Sequence, residues 1–157
     1  MRVGLPLRAR GFTLPELLIV VTVLAVLTAA GLPSFTEFLR NQRVKTASFD
    51  IYSSLVVARS EAITRNASIK VEPISGSWTN GWTVKDGSGN VIRTLGAVSN
   101  VTITGPALGY IEYRGSGRLT AASMPTFQLT ASGSSVTTRC ISIDLSGRPT
   151  SKAAACS

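Results

Sequence analysis

One junction decides the fold of this chain, and it reads Arg10-Gly11-Phe12-Thr13-Leu14-Pro15-Glu16-Leu17-Leu18-Ile19-Val20. Three arginines and no acidic residue lie before Phe12, whereas the only charged side chain from Phe12 to Phe35 is Glu16. The second segment is rich in Leu, Val and Ala. A run this long and this apolar predicts one helix that can cross a bilayer.

The charges beside the apolar run predict its orientation. The basic residues 1–11 hold this end in the cytoplasm, so the rest of the chain faces outward. An ordinary secretory signal also starts with a basic region, but its apolar core is about 7–15 residues and ends at a small-residue cleavage site. The run here is too long for that class, and 157 residues with 44% hydrophobic content leave room for one anchor and one compact domain.

Beyond the anchor the apolar residues recur at helical spacing. They are Val44, Ala47, Ile51, Leu55, Ala58 and Ala62, with charged residues between them. This spacing predicts an amphipathic helix that continues to about Arg65 and packs one face against a sheet. Asn66 is the expected stop, because asparagine tolerates the left-handed cap conformation.

The sequence after Asn66 changes to short alternating runs typical of strands. We predict strands near 69–74, 81–84, 91–93, 101–103, 111–113, 126–129 and 140–145. Gly87 and Gly89 lie in a hairpin turn between two of them, and Trp82 is expected in the core or the sheet. The predicted fold class is α+β, with one long N-terminal helix that serves as membrane anchor, continues into the domain and packs on antiparallel β-sheets.

The junction resembles the processing motif of class III signal peptides in type IV prepilins and pseudopilins. The shared elements are a short basic leader that ends in Gly11, then Phe12, then Glu16 and a long apolar helix. The resemblance implies that a prepilin peptidase cuts between Gly11 and Phe12 and that Phe12 becomes N-methylated. Pro33 falls where many pilins carry a helix-bending proline. The resemblance therefore implies a pilin-like fold.

Glu16 is the only charged residue of the apolar segment, and its presence there requires an explanation. Insertion of a carboxylate costs roughly 2.5–3.5 kcal/mol at the centre of a membrane helix. Near the start of the helix, its charge can complement the positive end of the helix dipole. The resemblance implies a further role, in which Glu16 pairs with the N-terminal amine of Phe12 on a neighbouring subunit as the filament assembles.

The resemblance also divides the chain into three parts. Residues 1–11 are the cleaved leader, residues 12–35 the transmembrane and filament-core helix, and residues 36–157 a periplasmic globular domain that includes the second half of the helix. We expect a single-pass protein of the bacterial inner membrane that later enters an extracellular pilus fibre. The expected partners are the prepilin peptidase, the inner-membrane pilus assembly platform, and other minor and major pilins.

The second half of the chain resembles the GspH/FimT group of pilin-like proteins. The segments that carry the likeness are Ala58-Arg59-Ser60-Glu61-Ala62, Asn80-Gly81-Trp82, Tyr113-Arg114-Gly115-Ser116-Gly117-Arg118, and Ile141-Ser142-Ile143 followed by Ser146-Gly147-Arg148. The likeness implies a minor pilin that acts in assembly or initiation of a type IV pilus near its tip. A type II secretion pseudopilin, which shares the N-terminal features, is the alternative.

The net charge of +8 raises a second possible function. From Arg40 onward there are 13 basic and 6 acidic residues, a balance that suits nucleic acid, an acidic partner, anionic lipid or a merely soluble surface. FimT-like pilins bind DNA through a Gly-Arg-x-Arg segment, and here Gly147-Arg148-Pro149-Thr150 lacks the second arginine. The candidate phosphate-binding residues are Arg148, Lys152, Arg139, Arg118 and Arg114.

The two cysteines, Cys140 and Cys156, lie on the side predicted to be outside the cytoplasm, where a disulfide can persist. A bridge between them would close a short C-terminal loop, worth about 3 kcal/mol by loop entropy. Two free buried thiols or a metal-binding pair are the competing interpretations. Both are weaker than the disulfide, because the sequence has no histidine and no further cysteine to complete a zinc site.

Catalysis finds little support in the composition. Without histidine the usual general base is missing, and neither a Ser-His arrangement nor a helical His zinc motif can be written. The carboxylates are scattered along the chain. We therefore predict a protein that is not an enzyme, that carries no cofactor or metal, and that is itself the substrate of a peptidase.

Overall fold

A computed structural model describes residues 12–133 and 135–156, without the side chains of residues 30–33. One helix, α1, runs from Leu14 to Arg65. The chain divides into two compact units, of which the first ends at Thr36 and the second is Glu37–Ser157. Gly11 lies outside the described residues, and so does the side chain of Pro33, although helical backbone continues through position 33.

Within the described residues, eight strands follow the helix. They are β1 (Ile69–Ile74), β2 (Ser77–Asp86), β3 (Val91–Leu95), β4 (Thr102–Thr104), β5 (Ile111–Tyr113), β6 (Thr126–Thr130), β7 (Arg139–Ile143) and β8 (Pro149–Lys152). Sheet A has the order β3-β2-β1-β5 and sheet B the order β4-β6-β7-β8, and all their strand pairs are antiparallel. The predicted α+β class is confirmed.

The core of the second unit lies between the helix and both sheets. The helix contributes the six residues whose spacing predicted a buried face, Val44, Ala47, Ile51, Leu55, Ala58 and Ala62, each at most 2% exposed. Trp82 is buried as predicted, and its indole Nε1 donates to the buried Ser54 Oγ at 2.9 Å. That bond satisfies two polar groups which would otherwise be costly to bury.

Trp78 joins the two sheets. Its ring meets the Phe127 ring edge-on, with 4.7 Å between centroids, so a residue of β2 packs against one of β6. A Cβ at Gly105 would lie 2.1 Å from Trp78 Nε1, so only glycine leaves room for the indole there. No local sequence pattern predicted that Trp78 lies in the core.

The helix ends as the sequence predicts. Asn66 has φ 47°, the left-handed conformation expected of the stop residue. The Ala67 N–H donates to the Ala62 carbonyl at 3.1 Å, and the Asn66 N–H donates to the Ile63 carbonyl at 3.2 Å. This paired arrangement is a Schellman motif, which satisfies two carbonyls that the last helical turn leaves open.

Most predicted strands occur within one or two residues of their expected bounds. The exceptions are the start of β2 and the whole of β8. β2 begins at Ser77, four residues before the predicted start at Gly81. β8 was not predicted at all, because Pro-Thr-Ser-Lys has neither apolar alternation nor β-branched enrichment. It forms because β7 offers a free edge with which its backbone pairs.

The first turns of the helix within the second unit hold the connection between β6 and β7. Arg40 Nη1 donates to the Ser132 carbonyl at 3.0 Å, and Asn41 Nδ2 donates to the Ser135 carbonyl at 3.2 Å. The Thr137 N–H donates to Asn41 Oδ1 at 2.8 Å, and Ser135 Oγ donates to Glu37. Polar side chains therefore fix this loop to the helix.

Candidate assembly segment and basic surfaces

The helix start gives Glu16 a defined local role. The Leu17 N–H donates to the Thr13 carbonyl at 3.1 Å, which makes Thr13 the N-cap and Glu16 the third helical residue. Glu16 Oε2 accepts from the Thr13 N–H at 3.5 Å, the reach-back half of a capping box. Pro15 lies in the first turn, where backbone N–H groups have no intrahelical acceptor, so its lack of an N–H costs no helical hydrogen bond.

The segment that follows has no protein partner for its apolar side chains within its own unit. The large apolar residues described between Phe12 and Leu27 are all exposed. Thr22 Oγ1 donates to the Leu18 carbonyl, and Thr28 Oγ1 to the Leu24 carbonyl at 2.9 Å, so both hydroxyls are satisfied inside the helix. By length and composition, α1 is long and apolar enough to cross a membrane.

Three loops of the domain share one turn geometry, at residues 86–90, 114–118 and 144–148. In each, the first N–H donates to the fifth carbonyl and the fourth N–H donates to the first carbonyl, at 2.7–3.2 Å. The third residue is serine and the fourth is glycine with φ of 86°, 73° and 85° respectively. Glycine adopts this left-handed conformation without steric cost, which explains its place in each turn.

Aspartates stabilise two of these turns. Asp86 Oδ1 accepts from the backbone N–H of Ser88 and of Asn90, each at 2.9 Å, and Asp144 Oδ1 accepts from the Arg148 N–H at 2.9 Å. The Asn90 side chain is the main cause of the lowered pKa of Asp86. The Ser146 hydroxyl is the main cause of the lowered pKa of Asp144. Both carboxylates are structural groups of turns.

Two of the turns pack directly on each other over the end of the helix. A Cβ at Gly147 would fall 2.1 Å from the Gly117 carbonyl oxygen, so the backbones are in contact there. The same Gly117 carbonyl accepts from Arg59 Nε at 3.1 Å. Tyr113 is fully buried beside them, and its hydroxyl has no hydrogen-bond partner among the described residues. Burial raises the pKa of Tyr113, which therefore stays neutral.

The predicted basic residues separate into two groups. Arg114, Arg118 and Arg148 are exposed on the two packed turns, with the Arg114 N–H bonded to the Arg118 carbonyl at 2.9 Å. Arg139 and Lys152 lie at the other end of β7 and β8, where Lys152 pairs in register with Cys140. The structure thus brings three of the five together and does not join them with the other two.

The position that lacks a second arginine belongs to strand β8. Thr150 Oγ1 lies 2.9 Å from Ser142 Oγ and 3.3 Å from the Ser142 carbonyl, so it bonds across the strand pair. The predicted disulfide between Cys140 and Cys156 is present, with Cα atoms 5.1 Å apart. The Cys156 N–H donates to Gln128 Oε1 at 3.2 Å, which ties the C-terminal tail to β6.

The described residues contain no group of three or more His, Cys, Asp or Glu side chains that could hold a metal ion. The bridged cysteines do not act as ligands, so a metal pair at this position is excluded.

A helix with an apolar start, packed through its second half on two antiparallel sheets, defines a membrane-anchored protein of the pilin-like class. A model of the prokaryotic N-terminal methylation motif matches residues 7–32. The family model described as type II transport protein GspH matches residues 47–147, and the chain belongs to this family. No curated protein sequence matches the chain.

Solved structures share the fold. A crystal structure of the type IV minor pilin FimU of Pseudomonas aeruginosa PAO1, in space group P21, has a TM-score of 0.63 at 20% identity and covers 73% of this chain and 92% of that one. A second FimU crystal form, P65, has a TM-score of 0.58 at 21% identity and covers 69% and 91% of the two chains. The methylation motif and the apolar helix together identify an inner-membrane-anchored protein with a C-terminal domain outside the bilayer.

Proposed function

We propose that this chain is a minor pilin of a type IV pilus, a structural component that acts in assembly or initiation near the tip of the fibre. The observation that carries the proposal is the N-terminal segment, in which an exposed apolar helix begins at a methylation motif. An apolar surface of this kind requires lipid before assembly and other helices afterwards. Membership of the GspH family and the FimU-like fold support it.

The proposal implies a sequence of partners. A prepilin peptidase removes residues 1–11 at Gly11 and leaves Phe12 as the methylated first residue. The inner-membrane assembly platform then transfers the subunit into a fibre of other minor and major pilins. In the fibre, Glu16 pairs with the Phe12 amine of a neighbouring subunit, and Pro33 bends the helix.

The experiment that tests the proposal is the intact mass of the protein from membranes and from sheared fibres. We expect loss of residues 1–11 and one added methyl group on Phe12 in both fractions. Gly11→Ala should leave the leader uncut and keep the protein out of fibres. Full-length protein within assembled fibres would contradict the proposal.

Glu16→Val separates anchoring from assembly. Membrane insertion should be at least as efficient, since a charged group is removed from the apolar segment. Incorporation into fibres should fall, because the partner of the Phe12 amine is lost. The matched control is Glu61→Val, which removes a carboxylate that pairs with Arg65 at 2.6 Å within the domain. Unchanged incorporation of Glu16→Val would reduce Glu16 to the capping role seen at the helix start.

A type II secretion pseudopilin is the alternative function, and the description of the matching family refers to type II transport. The two functions differ in where the subunit is found. A pilus subunit co-purifies with surface fibres and its deletion reduces piliation, whereas deletion of a secretion pseudopilin leaves piliation intact and blocks export of secreted proteins. The C-terminal disulfide loop favours the pilus, because such loops recur in pilins.

DNA binding is a second candidate function, favoured by the three exposed arginines on the packed turns. None of Arg114, Arg118 and Arg148 has an ion-pair partner in the part of the chain that the structure describes. A fragment from Glu37 onward should bind duplex DNA with an affinity that falls with salt at a slope of about −0.9 per phosphate neutralised. Alanine at all three arginines should flatten that slope, and alanine at Arg139 and Lys152 should change it less. A slope unaffected by the triple substitution would leave these arginines as turn residues.

A further inference from the structure

One flank of the helix within the domain carries two columns of residues at seven-residue spacing, which we call the heptad face. The first column consists of Gln42, Phe49, Val56 and Ile63, and the second of Phe38, Lys45, Tyr52 and Arg59. The columns alternate in steps of three and four. That is the pattern by which one helix packs along another.

The heptad face is separate from the face that builds the core. Phe49 is 68% exposed, Ile63 50% and Val56 43%, whereas the core-facing residues of the same helix are fully buried. Isolated apolar residues on a surface are ordinary, but exposed apolar residues that recur at seven-residue spacing along one helix are typical of an interface. The domain has spare apolar surface here that its own sheets do not cover.

A pocket of about 230 Å³ lies in the middle of this face. The helix contributes Lys45, Ser48, Phe49 and Tyr52, and the neighbouring strands contribute Arg139 and Ser151. Ser48 Oγ and Ser151 Oγ are 3.3 Å apart, so a strand edge closes one side of the pocket. Apolar walls between two helical turns and a strand form a hole of the size that receives one side chain of a partner helix.

The charge on the rim of the pocket limits what can enter. Lys45 and Arg139 both line it, and neither has an ion-pair partner among the described residues. The domain as a whole is basic, with 13 basic and 6 acidic residues from Arg40 onward. A second copy of this chain would bring more positive charge to the rim, whereas a carboxylate would complement it.

We propose that the heptad face is a docking site for an amphipathic α-helix of a different subunit, one that places an apolar side chain in the pocket and a carboxylate beside Lys45 and Arg139. The proposal rests on the pilin function, since it names the kind of neighbour that this subunit takes. It assigns contacts with a neighbouring subunit to the half of the helix that lies in the domain, in addition to any contacts of the apolar anchor.

The test uses the processed full chain in nanodiscs of zwitterionic lipid and two synthetic 21-residue helices. Both peptides carry Leu at heptad positions a and d; one has Glu and the other Lys at positions e and g. Fluorescence anisotropy, corrected with empty nanodiscs, should give an affinity at least about tenfold higher for the Glu peptide. Phe49→Ser and Lys45→Glu should each weaken its binding about tenfold, whereas Val91→Ser, at another exposed apolar site on β3, should not.

Equal affinity for both peptides would overturn the charge complementarity, and equal loss in Val91→Ser would overturn the location. Self-association of the chain that Phe49→Ser abolishes, without preference for the Glu peptide, would replace the proposed partner with a second copy. Failure of the pilin function is detected separately, as an uncut leader or absence from fibres, and these outcomes are independent of peptide affinity.

Discussion

The two halves of one helix differ in the exposure of their apolar side chains. From Leu14 to Leu27 every large apolar side chain that the structure describes is exposed, whereas from Val44 to Ala62 one face is completely buried against the sheets. The first half has no partner for its apolar side chains within its own unit, and the second half packs them against its own sheets. Folding of the domain therefore explains the apolar residues of the second half and leaves those of the first half for the proposed role in assembly.

The sharpest contrast comes from the same substitution in the two halves of the molecule. Leu129→Ala, at a fully buried site, should lower the free energy of unfolding of the domain by about 2–5 kcal/mol. Leu17→Ala should leave it unchanged, because Leu17 is exposed and belongs to the first unit of the chain. Urea unfolding of the full chain in detergent micelles, followed by the fluorescence of Trp78 and Trp82, measures both. Equal shifts would mean that the anchor supports the domain.

The disulfide stabilises only the second region. Replacing Cys140 and Cys156 with serine should cost about 3 kcal/mol, the loop-entropy value for a closed loop of roughly this length. Wild-type protein under reductant should unfold at the same urea concentration as the double variant. The variant itself should not respond to reductant, which is the control. A wild-type midpoint that reductant does not move would contradict the stabilising role.

The repeated turns allow a comparison within the domain. Gly147→Ala should destabilise by about 2–4 kcal/mol, because its Cβ would meet the Gly117 carbonyl in addition to the strained φ. Gly89→Ala has a similar φ but no atom within 4 Å, so only the backbone strain of about 1 kcal/mol remains. The difference between their unfolding midpoints measures the contact between the two packed turns. Equal midpoints would mean that the turns separate freely.

The smallest expected effect is the pH dependence of the domain's stability that comes from Asp144. The folded-state pKa of Asp144 is lowered, so its ionised form stabilises the fold above the ordinary pKa of 3.8, and this contribution disappears as pH falls through the folded value. Asp144→Asn keeps an acceptor for the Arg148 N–H and removes the charge. Its stability deficit relative to wild type should therefore be present at pH 7 and shrink as the pH falls below 3.8. A deficit that does not change with pH would mean that the shape of the side chain matters and its charge does not.

Local patterns predicted the helix well. Spacing identified all six core-facing residues, and Asn66 marked the end, because both signals are determined within a few residues of chain. The hairpin between β2 and β3 was equally local. The class of the N-terminal segment followed from the resemblance of its leader, Gly11, Phe12, Glu16 and apolar helix to the prepilin processing motif.

Other features depend on contacts between distant segments and left no local signal. Sheet A has the order β3-β2-β1-β5, so β5 pairs with β1 although β4, a strand of sheet B, comes before β5 in the chain. Strand β8 exists only through its pairing with β7, and Trp78 became a core residue only because two sheets meet there. The five basic residues could not be grouped without knowing which turns pack together.

The polar bonds between the start of the domain helix and the β6–β7 connection have a mechanical consequence. Tension applied along the helix axis would enter the domain through Glu37, Arg40 and Asn41 and pass directly into the backbone at Ser132, Ser135 and Thr137. These bonds join one stretch of the helix to one loop, so they would share the load before it reaches the strands of sheet B.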